Sequence, residues 1–330
     1  MSLSLSRERT IGIALESTRN TPNNTATVFP IVHNYEVNPV NEYYEDRGIA
    51  GVRSNLLKKE LAMQSCEGMI EDSLDVNGII GYALSSLMSA PTTNQDGSSN
   101  GYSHVWTAFT ANPQTLTIHS DDKLEGLKRA HGVQVKSVEI DIKRTETLVK
   151  VEFVGVGISA GSAQTSVITK KVNDLLARHV VAKYADTSAG LAGANGFFVS
   201  ECNIKLTNNL ELDDSYGKTR TLDAADTIPG VPLVEMTMKG KVRDAVWYQS
   251  NLNNSQKAFS IDMELPSVIT GSTLKPRFYF ELPPSNIVAS GEKDKDSEMR
   301  FELSIESNYS LADNRHCQII LQNEITTYTA

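Results

Sequence analysis

The chain has 330 residues, with 40 Asp and Glu against 31 Lys and Arg and a pI of about 5.3. This length can bury a sizeable core in one large domain or in two of ordinary size, and because no run of Lys or Arg exceeds two residues, no basic groove for nucleic acid phosphates is predicted. No apolar run approaches the ~20 residues that cross a bilayer, and the N-terminal sequence lacks the apolar core of a signal peptide, so we expect a soluble protein made in the cytoplasm.

The first 30 residues predict an N-terminal arm. A short apolar segment at residues 12–15 runs directly into Ser, Thr, Asn and Pro, which is typical of a loop and not of a core strand. Residues 28–40 are extended in character, but Pro30 and Pro39 confine such a strand to an edge or an end of a sheet.

The next segments predict a projecting loop, a strand and one helix. Residues 41–54 are polar and contain glycines, which favours a loop, and residues 56–70 follow as a strand. Residues 75–89 carry apolar side chains at helical spacing, with Asp75 as the expected N-cap and Pro91 beyond the end. We expect this helix to cover one side of a sheet.

Residues 132–157 predict a long two-stranded β-hairpin. Apolar residues alternate with charged ones on both arms, and the apolar set is Val138, Ile140, Ile142, Val149, Val151 and Phe153. Since successive side chains of a strand point to opposite faces, each arm has one apolar face to bury and one charged face for water. Such a hairpin is marginal alone, so further strands must come from the same chain or from other chains.

A second amphipathic hairpin is predicted near the C-terminus, with residues 299–305 as one arm and residues 317–321 as the other. Two amphipathic hairpins of the same kind predict that the chain contains a duplicated domain. In agreement, residues 199–217 can be laid over residues 31–48, with a strand followed by polar and acidic residues in both.

The duplication continues through the helical region. Residues 233–252 resemble the first half between its second strand and its helix, including a glycine at a bend and a short helix at 245–252. Between the halves, residues 167–184 have apolar side chains near helical spacing, although 178–184 is equally compatible with a strand. The predicted organisation is an N-terminal arm (1–30), a first domain (31–160), a linker (161–196) and a second domain (197–330).

The succession of these segments resembles one known family. The segments that carry the resemblance are GIALESTRNTP, YEVNPVNEYYEDRGIAGVRS, IIGYALSSLMS, HVWTAF, QTLTIHSDD, HGVQVKSVEIDI and LVKVEFVGVG. In this order they resemble the tail tube proteins, or major tail proteins, of long-tailed bacteriophages. The resemblance covers residues 10–160 directly and the remainder through the internal repeat, and it depends on the order of segments because no single motif is diagnostic.

The resemblance implies a mainly β fold, a β-sandwich or split barrel with one short flanking helix per half. It implies that the long hairpins of neighbouring subunits join into a β-barrel ring, and that rings stack into the virion tail tube. The implied partners are other copies of the chain, the tape-measure protein and then genomic double-stranded DNA in the lumen, and the tail terminator and tail-tip proteins, with no membrane. Neither a cofactor nor an enzymatic activity is implied.

The charged faces of the two hairpins are expected to line the lumen. The candidate lumen-facing residues are Glu139, Asp141, Lys143, Lys150, Glu152, Arg300, Glu302, Ser304 and Glu306. This mixture has an acidic excess, which suits a conduit for DNA because each phosphate neutralised by a cation adds salt-dependent affinity. If each half supplies one hairpin, three chains complete a pseudo-sixfold ring; if only one half does, six chains are needed. We favour three.

By the same resemblance, the N-terminal segment and the loop after the second strand reach the adjacent ring. The candidate inter-ring residues are Glu16, Arg19, Glu42, Tyr43, Tyr44, Asp46 and Arg47. Residues 1–24 and 41–55 are then expected to be loosely held in a free subunit and to become ordered on stacking, at an entropic cost of roughly 1–2 kcal/mol per residue.

An enzymatic alternative comes from residues 157–161, which match the G-x-S-x-G pattern of a hydrolase nucleophile. Ser159 would be the nucleophile, with Asp186 or Asp226 and then His316 as the other members of a triad. The alternation of strands with full helices that this fold requires is missing from the sequence. A third hypothesis, a carbohydrate-binding or capsid-decorating β-sandwich, would be supported by a soluble monomer with a ligand groove.

The three cysteines, Cys66, Cys202 and Cys317, are far apart and odd in number. This argues against a disulfide framework and against a structural zinc site, and predicts buried free thiols. The histidines do not occur at metal-ligand spacing. We therefore predict no metal or cofactor site.

Overall fold

A computed structural model describes residues 10–46, 58–122, 126–162, 164, 173–213, 223–241, 253, 255–293 and 299–329. The fold is mainly β, as predicted, and the described residues contain one α-helix, α1 (Ile80–Leu87). The strands of the first half are β1 (Thr10–Leu15), β2 (Asn34–Asp46), β3 (Lys58–Ser73), β4 (Thr92–Gln95), β5 (Tyr102–Trp106), β6 (Leu116–Asp122), β7 (Gly126–Lys143), β8 (Thr147–Gly155) and β9 (Gly157–Ala160).

The second half of the chain also consists mainly of β-strands. Its strands are β10 (Val180–Ala185), β11 (Gly196–Phe197), β12 (Glu201–Thr207), β13 (Glu211–Asp213), β14 (Asp226–Ile228), β15 (Leu233–Lys241), β16 (Lys257–Glu264), β17 (Arg277–Lys293), β18 (Met299–Glu306) and β19 (Gln318–Asn323). The short helix predicted at residues 245–252 lies outside the described residues.

The predicted hairpin at residues 132–157 is confirmed as β7 and β8, which pair antiparallel up to the corner at residues 144–146. Its apolar face is buried, since none of the six alternating apolar side chains is more than 4% exposed. Burying one face of a period-two strand leaves the charged residues between them on the other face. The alternation in the sequence therefore predicts both the strands and their orientation.

The hairpin lies in the middle of an eight-stranded antiparallel sheet. The strand order is β2-β3-β8-β7-β12-β15-β18-β17. The first four strands belong to the first half of the chain and the last four to the second. Within each group the order is the same, with β12, β15, β18 and β17 in the places of β2, β3, β8 and β7.

Two long strands leave this sheet and continue into an outer layer. The N-terminal part of β7 pairs with β6 and β9, and β6 pairs with β1, which makes the first outer sheet. The N-terminal part of β17 pairs with β16 and β19 in the same way, and the second outer sheet extends from β16 to β10 and from β19 to β5 and β4. The outer layer of each half thus repeats the order of the other.

The register gives the eight-stranded sheet two ends. At the corner end lie the turn between β7 and β8 and the first residues of β12, since Lys143 pairs with Glu201. The opposite end is the groove end. It contains the last residues of β12 and the first residues of β15, since Thr207 pairs with Leu233. The last residues of β2 and the first residues of β3 lie toward the groove end, because these two strands pair from Asn34, the end of β2 nearer the corner, to Asp46.

The helix is shorter and more deeply buried than predicted. It begins after Ile79, which provides no side-chain cap, because the carboxylate of Asp75 instead accepts a hydrogen bond from the amide of Asn77 in the preceding turn (2.8 Å). All eight residues of α1 are buried. On one side the Ser86 hydroxyl accepts a hydrogen bond from the Val135 amide of β7 (3.2 Å), so the helix packs within the sandwich and is not a surface cover.

The C-terminal segment encloses the helix from the other side. The Tyr328 side chain is fully buried and packs directly on Gly81 of α1, with its ring edge-on to Tyr82 (centroids 5.1 Å apart). Asn323 donates hydrogen bonds to the Val76 carbonyl oxygen and to the Tyr328 hydroxyl oxygen (both 2.7 Å). Tyr328 therefore belongs to the core, although its neighbours Thr327 and Thr329 are exposed.

The prediction of an N-terminal arm is wrong for the described part of that segment. Strand β1 pairs with β6 along its whole length, and Ile11 and Ile13 are each 2% exposed. A backbone bridge joins Ile13 to Val28. The short apolar stretch was expected to be an arm or the start of a loop, outside the core. Its partner strand lies about 100 residues away in the sequence, and local patterns cannot show such a pairing.

Two further expectations need correction. Residues 41–46 were predicted to begin a projecting loop but continue β2, with a register shift at Glu42/Tyr43. Residues 180–185, within the predicted linker, form β10 and pair with β16, which agrees with the strand alternative at 178–184. The division of the chain into two domains stays a prediction.

The second predicted hairpin has the wrong partner. Strand β18 pairs with the C-terminal part of β17 and with β15, whereas residues 318–323 form β19 in the second outer sheet. Apolar and polar residues alternate in both segments, but this alternation shows only that each strand buries one face. The polar stretch 307–317 crosses from one layer to the other and is not a hairpin turn. The second hairpin is therefore β17 and β18.

Each half contains a glycine that lies beneath a phenylalanine of the neighbouring strand. Gly68 of β3 pairs with Phe153 of β8, and Gly240 of β15 pairs with Phe301 of β18. A Cβ at Gly68 would overlap both the Phe153 ring and the Glu36 carbonyl oxygen, and one at Gly240 would lie 2.7 Å from the Phe301 ring. The close approach requires glycine at both positions.

We predict that Gly68→Ala and Gly240→Ala each lower the free energy of unfolding, by about 1–3 kcal/mol, because the added methyl group overpacks the core. Gly68→Ala should have the larger effect, because its Cβ would come closer to both backbone and ring (2.2 Å and 2.4 Å) than the Cβ at Gly240 would (2.7 Å to each). Denaturant unfolding measures both. Gly193→Ala, where a Cβ meets nothing within 4 Å, is the matched control, and equal stability of all three variants would contradict this packing.

Candidate functional site

The open face of the eight-stranded sheet carries charged residues in regular rows. One row crosses the whole sheet at a single level, each member opposite the next: Asn34, Glu71, Lys150, Glu139, Lys205, Glu235, Glu306 and Asn286. A second row nearer the corner end comprises Lys143, Glu201, Lys239 and Glu302. Opposite charges therefore alternate between strands over most of the face.

Short contacts pair many of these charges. Lys150 lies 2.6 Å from Glu152, Lys239 lies 3.5 Å from Glu302, and Lys143 contacts Asp141. The Lys150 ammonium group holds the pKa of the Glu152 carboxyl below its usual range, with Ser137 as a second donor. Only the contact between Lys239 and Glu302 joins two strands, and a cross-strand pair of opposite charge contributes roughly 0.2–1 kcal/mol. The main effect of the three contacts is to leave few unpaired cations on the face.

The structure brings together the predicted lumen-facing residues of both hairpins. All of those whose side chains are described lie on this face, while their apolar neighbours Val138, Val151 and Leu303 are buried beneath it. Arg300 lies in β18, but its side chain is outside the described set. That this face lines a lumen stays a prediction.

Sequence reasoning missed the part of the face that β12 and β15 provide. Glu201, Asn203 and Lys205 alternate with three buried apolar residues on β12, and Glu235, Thr237 and Lys239 do so on β15. The same period-two signal was present in the sequence. Because β12 and β15 lie outside the two predicted hairpins, the predicted charged face did not include them.

The sheet ends in two strands that each have a partner on one side only, among the described residues. Strand β2 pairs with β3, and the C-terminal part of β17 pairs with β18. By contrast, the equivalent strands at the centre, β12 and β7, pair with each other over seven residues (Glu201–Thr207). An open strand edge is a template for pairing with another chain.

The predicted inter-ring residues fall into two groups. Glu42, Tyr43 and Tyr44 are exposed on β2, and the Lys59 ammonium group lies 4.4 Å from the centre of the Tyr43 ring. The side chain of Asp46 and the whole of Arg47 lie outside the described residues. For these residues, contact with another ring stays a prediction.

Glu16 and Arg19 do not lie on an exposed arm. The Glu16 side chain is 4% exposed and accepts hydrogen bonds from the hydroxyl groups of Thr115 (2.6 Å) and Thr117 (2.8 Å) and from the Gly132 amide (2.8 Å). Desolvation by burial raises its pKa despite these donors. A carboxylate enclosed in this way cannot reach a neighbouring ring, so its assignment as an inter-ring residue is corrected.

Arg19 joins the two halves of the chain. Its guanidinium group lies 2.9 Å from the Asp226 carboxylate and donates to the carbonyl oxygens of Pro113 and Thr227 (3.0 Å each). The ion pair holds the segment before β15 against the first outer sheet. This contact occupies the donors that the sequence analysis had assigned to another ring.

A sequence model of the phage tail tube protein family matches residues 6–306. The chain belongs to this family. No curated protein matches it. As a tail tube protein it is a structural component of a virion tail that assembles with copies of itself, and the resemblance seen in the sequence is confirmed.

The serine hydrolase alternative finds no support in the geometry of this tail tube protein. Ser159 lies within β9, opposite Arg129 of β7, and its hydroxyl accepts from that guanidinium group (3.3 Å). A nucleophile elbow requires a sharp turn between a strand and a helix. Asp186 contacts Lys257, Asp226 pairs with Arg19, and His316 packs against Tyr309, so the nominal triad residues are occupied elsewhere.

The three cysteines of the tail tube protein are buried and free, as predicted. Burial raises the pKa of each thiol to about 12, which keeps them protonated and unreactive. Among the described residues there is no group of three or more His, Cys, Asp or Glu that could hold a metal ion. In that same part of the chain, no helix is long and apolar enough to cross a membrane.

We predict that Glu16→Gln changes how the stability of the subunit depends on pH. Because the folded-state pKa is raised, the folded state binds the proton more tightly than the unfolded state, whose value is near 4.5. The contribution of Glu16 is fully present below that pH and is lost as pH rises through the folded pKa.

The measurement is the free energy of unfolding of wild type and variant over a pH series. The difference, wild type minus variant, should fall as pH rises from 4.5, with exposed Glu324→Gln as the control. Parallel curves for wild type and Glu16→Gln would contradict the buried carboxylate.

Proposed function

We propose that three copies of this chain close into a ring whose wall is one continuous β-barrel, that the charged face lines its lumen, and that stacked rings conduct double-stranded DNA. The observation that carries this proposal is the strand order of the eight-stranded sheet, in which both halves contribute four strands in the same order. A ring of three chains then contains six such four-stranded units. This equivalence also supports the predicted duplication.

The seam between β7 and β12 shows how two units can join. Asn203 of β12 donates a hydrogen bond to Glu139 of β7 (2.8 Å), and the Asn208 amide donates to the Lys136 carbonyl oxygen (2.9 Å). Strands β17 and β2 occupy the equivalent places at the borders of the sheet. Pairing β17 of one chain with β2 of the next repeats the same seam and leaves no open edge, because a closed barrel has none.

Barrel geometry supports three chains. With strands about 4.8 Å apart and tilted by roughly 40°, three eight-stranded sheets give a barrel about 48 Å across its backbone, which leaves roughly 35 Å between side chains. Two chains give about 32 Å and roughly 20 Å by the same estimate. A DNA duplex of about 20 Å has clearance only in the larger ring.

The charge of the face supports passage and not retention of DNA. The row that crosses the sheet contains four Glu and two Lys among its described side chains, and the cations nearby contact carboxylates. Phosphates attract cations that are free to neutralise them. A wall on which most Lys residues already contact a carboxylate gives DNA little to bind, and the same wall can hold the tape-measure protein before ejection.

We predict that cysteines on the two border strands will cross-link neighbouring chains of a ring. Val288→Cys lies on β17, at a position that is 65% exposed. It is combined in one chain with a second cysteine on the open face of β2, which is Asn34→Cys, Glu36→Cys, Asn38→Cys or Val40→Cys. One of these four registers should form disulfides under mild oxidation, since the facing strands of a pair bring Cβ atoms within about 5.5 Å.

The length of the covalent ladder on a denaturing gel then counts the chains in a closed ring. We expect it to end at three, whereas an end at six would contradict the trimer. Val181→Cys, on the second outer sheet and 46% exposed, replaces Val288→Cys in the control and should give no ladder.

We also predict that adding cations to the lumen face makes assembled tubes retain DNA. Glu139→Lys with Glu235→Lys removes two carboxylates and leaves unpaired Lys on the wall, so duplex DNA should bind with an affinity that falls steeply as salt rises. Co-sedimentation at several salt concentrations measures it. Glu264→Lys with Glu324→Lys, both exposed and away from this face, gives the same net charge. Equal DNA binding by both pairs would contradict a lumen position for Glu139 and Glu235.

A further inference from the structure

The groove end of the molecule contains an uncharged cavity of about 390 Å³. Three chain crossings surround it: residues 107–111 between β5 and β6, residues 229–232 before β15, and residues 309–316 between β18 and β19. Asn208, directly after β12, lies at its base. The cavity therefore opens between the eight-stranded sheet and the outer layer.

Aromatic rings form one wall of this groove. His316 contacts Tyr309 (centroids 5.0 Å apart) and Phe109 (6.1 Å), both edge-on. None of the lining residues is an Asp, Glu, Lys or Arg. Next to the groove, Val231 is 78% exposed and Leu311 is 89% exposed. A concave, uncharged, aromatic surface with an apolar rim is typical of an interaction site and takes an apolar side chain.

The opposite end of the molecule presents an aromatic side chain. Phe198 is 65% exposed and lies where the chain crosses from β11 of the second outer sheet to β12 of the eight-stranded sheet. Its carbonyl oxygen lies 2.7 Å from the Cβ position of Gly240, which places it at the corner end. Phe198 is therefore between the same two layers as the groove, at the other end of the subunit.

Strand β12 connects the two features. Phe198 precedes it and Asn208 follows it, so the aromatic residue and the groove are separated by roughly 33 Å along one strand. Each chain has one of each, at opposite ends of β12. Two different complementary surfaces on opposite ends produce a head-to-tail contact that continues without closing, which is the geometry of a filament.

We propose that Phe198 of a subunit in one ring inserts into the groove of a subunit in the next ring, so that the partner of this surface is a second copy of the chain. The proposal rests on the proposed ring and adds the residues and the direction of stacking. The insertion covers the rings of Tyr309 and His316 and the exposed apolar rim around them. Three such contacts join each pair of rings.

The first test separates ring closure from stacking. Phe198→Ser should form rings, seen by negative-stain microscopy, but should need at least about tenfold more protein than wild type to form tubes, because an aromatic anchor in a pocket dominates an interface. Ala108→Glu, which places a charge at the exposed rim of the groove, should have the same effect. Val181→Ser is the matched control and should form tubes as wild type does.

Tubes of Phe198→Ser at the wild-type concentration would overturn the proposal. Failure of the wild type to form rings at all would instead overturn the proposed ring, so the two outcomes are distinct.

A second test holds even where a variant assembles poorly. Phe198→Cys protein is mixed with Ala108→Cys protein under assembly conditions and a mild oxidant is added. The native thiols, with pKa near 12 and buried, give little background. Disulfide-linked heterodimers in excess of those from Val181→Cys mixed with Ala108→Cys support the contact, and their absence from assembled tubes overturns it.

Discussion

Backbone groups at a sheet border need partners, and this requirement organises the tail tube protein. A β-strand presents a row of backbone N–H and C=O groups along each of its two edges. In the middle of the eight-stranded sheet the chain satisfies β7 and β12 with each other. At the borders, β2 and the end of β17 have one described partner each. In the proposed ring, β17 of one chain pairs with β2 of the next in the same way as β7 pairs with β12 within one chain.

The two long strands β7 and β17 link the face of the sheet to the core. Each belongs to the eight-stranded sheet at one end and to an outer sheet at the other. Their apolar faces pack inward together with α1, whose Ser86 hydroxyl bonds to β7. A change of curvature at the charged face therefore has to move the helix and both outer sheets. Close packing of this kind makes a stiff sheet.

Sequence reasoning recovered what depends on short-range periodicity. The alternation from Val138 to Phe153 predicted a hairpin, its buried face and its charged face, and the order of the segments predicted the family. Long-range partners were not recoverable in the same way. Nothing near Glu16 in the sequence shows that Thr115 and Thr117 will bond to its carboxylate, and so a buried residue was assigned to an exposed arm.

The same limit explains the error at the second hairpin. Residues 299–305 and 317–321 both alternate, and a polar stretch separates them, which is the local pattern of a hairpin. The true partner of β18 is the end of β17, where Ser285, Asn286, Ser290 and Gly291 weaken the apolar signal. The layer that each of the two strands joins depends on a partner from a distant part of the sequence. Strand β15 pairs with β18, and strand β5 pairs with β19.

The fusion of two four-stranded units into one polypeptide has a consequence for errors of assembly. A tube built from single-unit subunits can close with one unit too few or too many, because neighbouring ring sizes differ by a small change of angle at each seam. A chain that carries two units can change the proposed ring only in steps of two. In the proposed ring, half of the seams also form during folding, at the high effective concentration of a linked pair. Five-unit and seven-unit rings are then excluded by counting alone, before any difference in seam energy is considered.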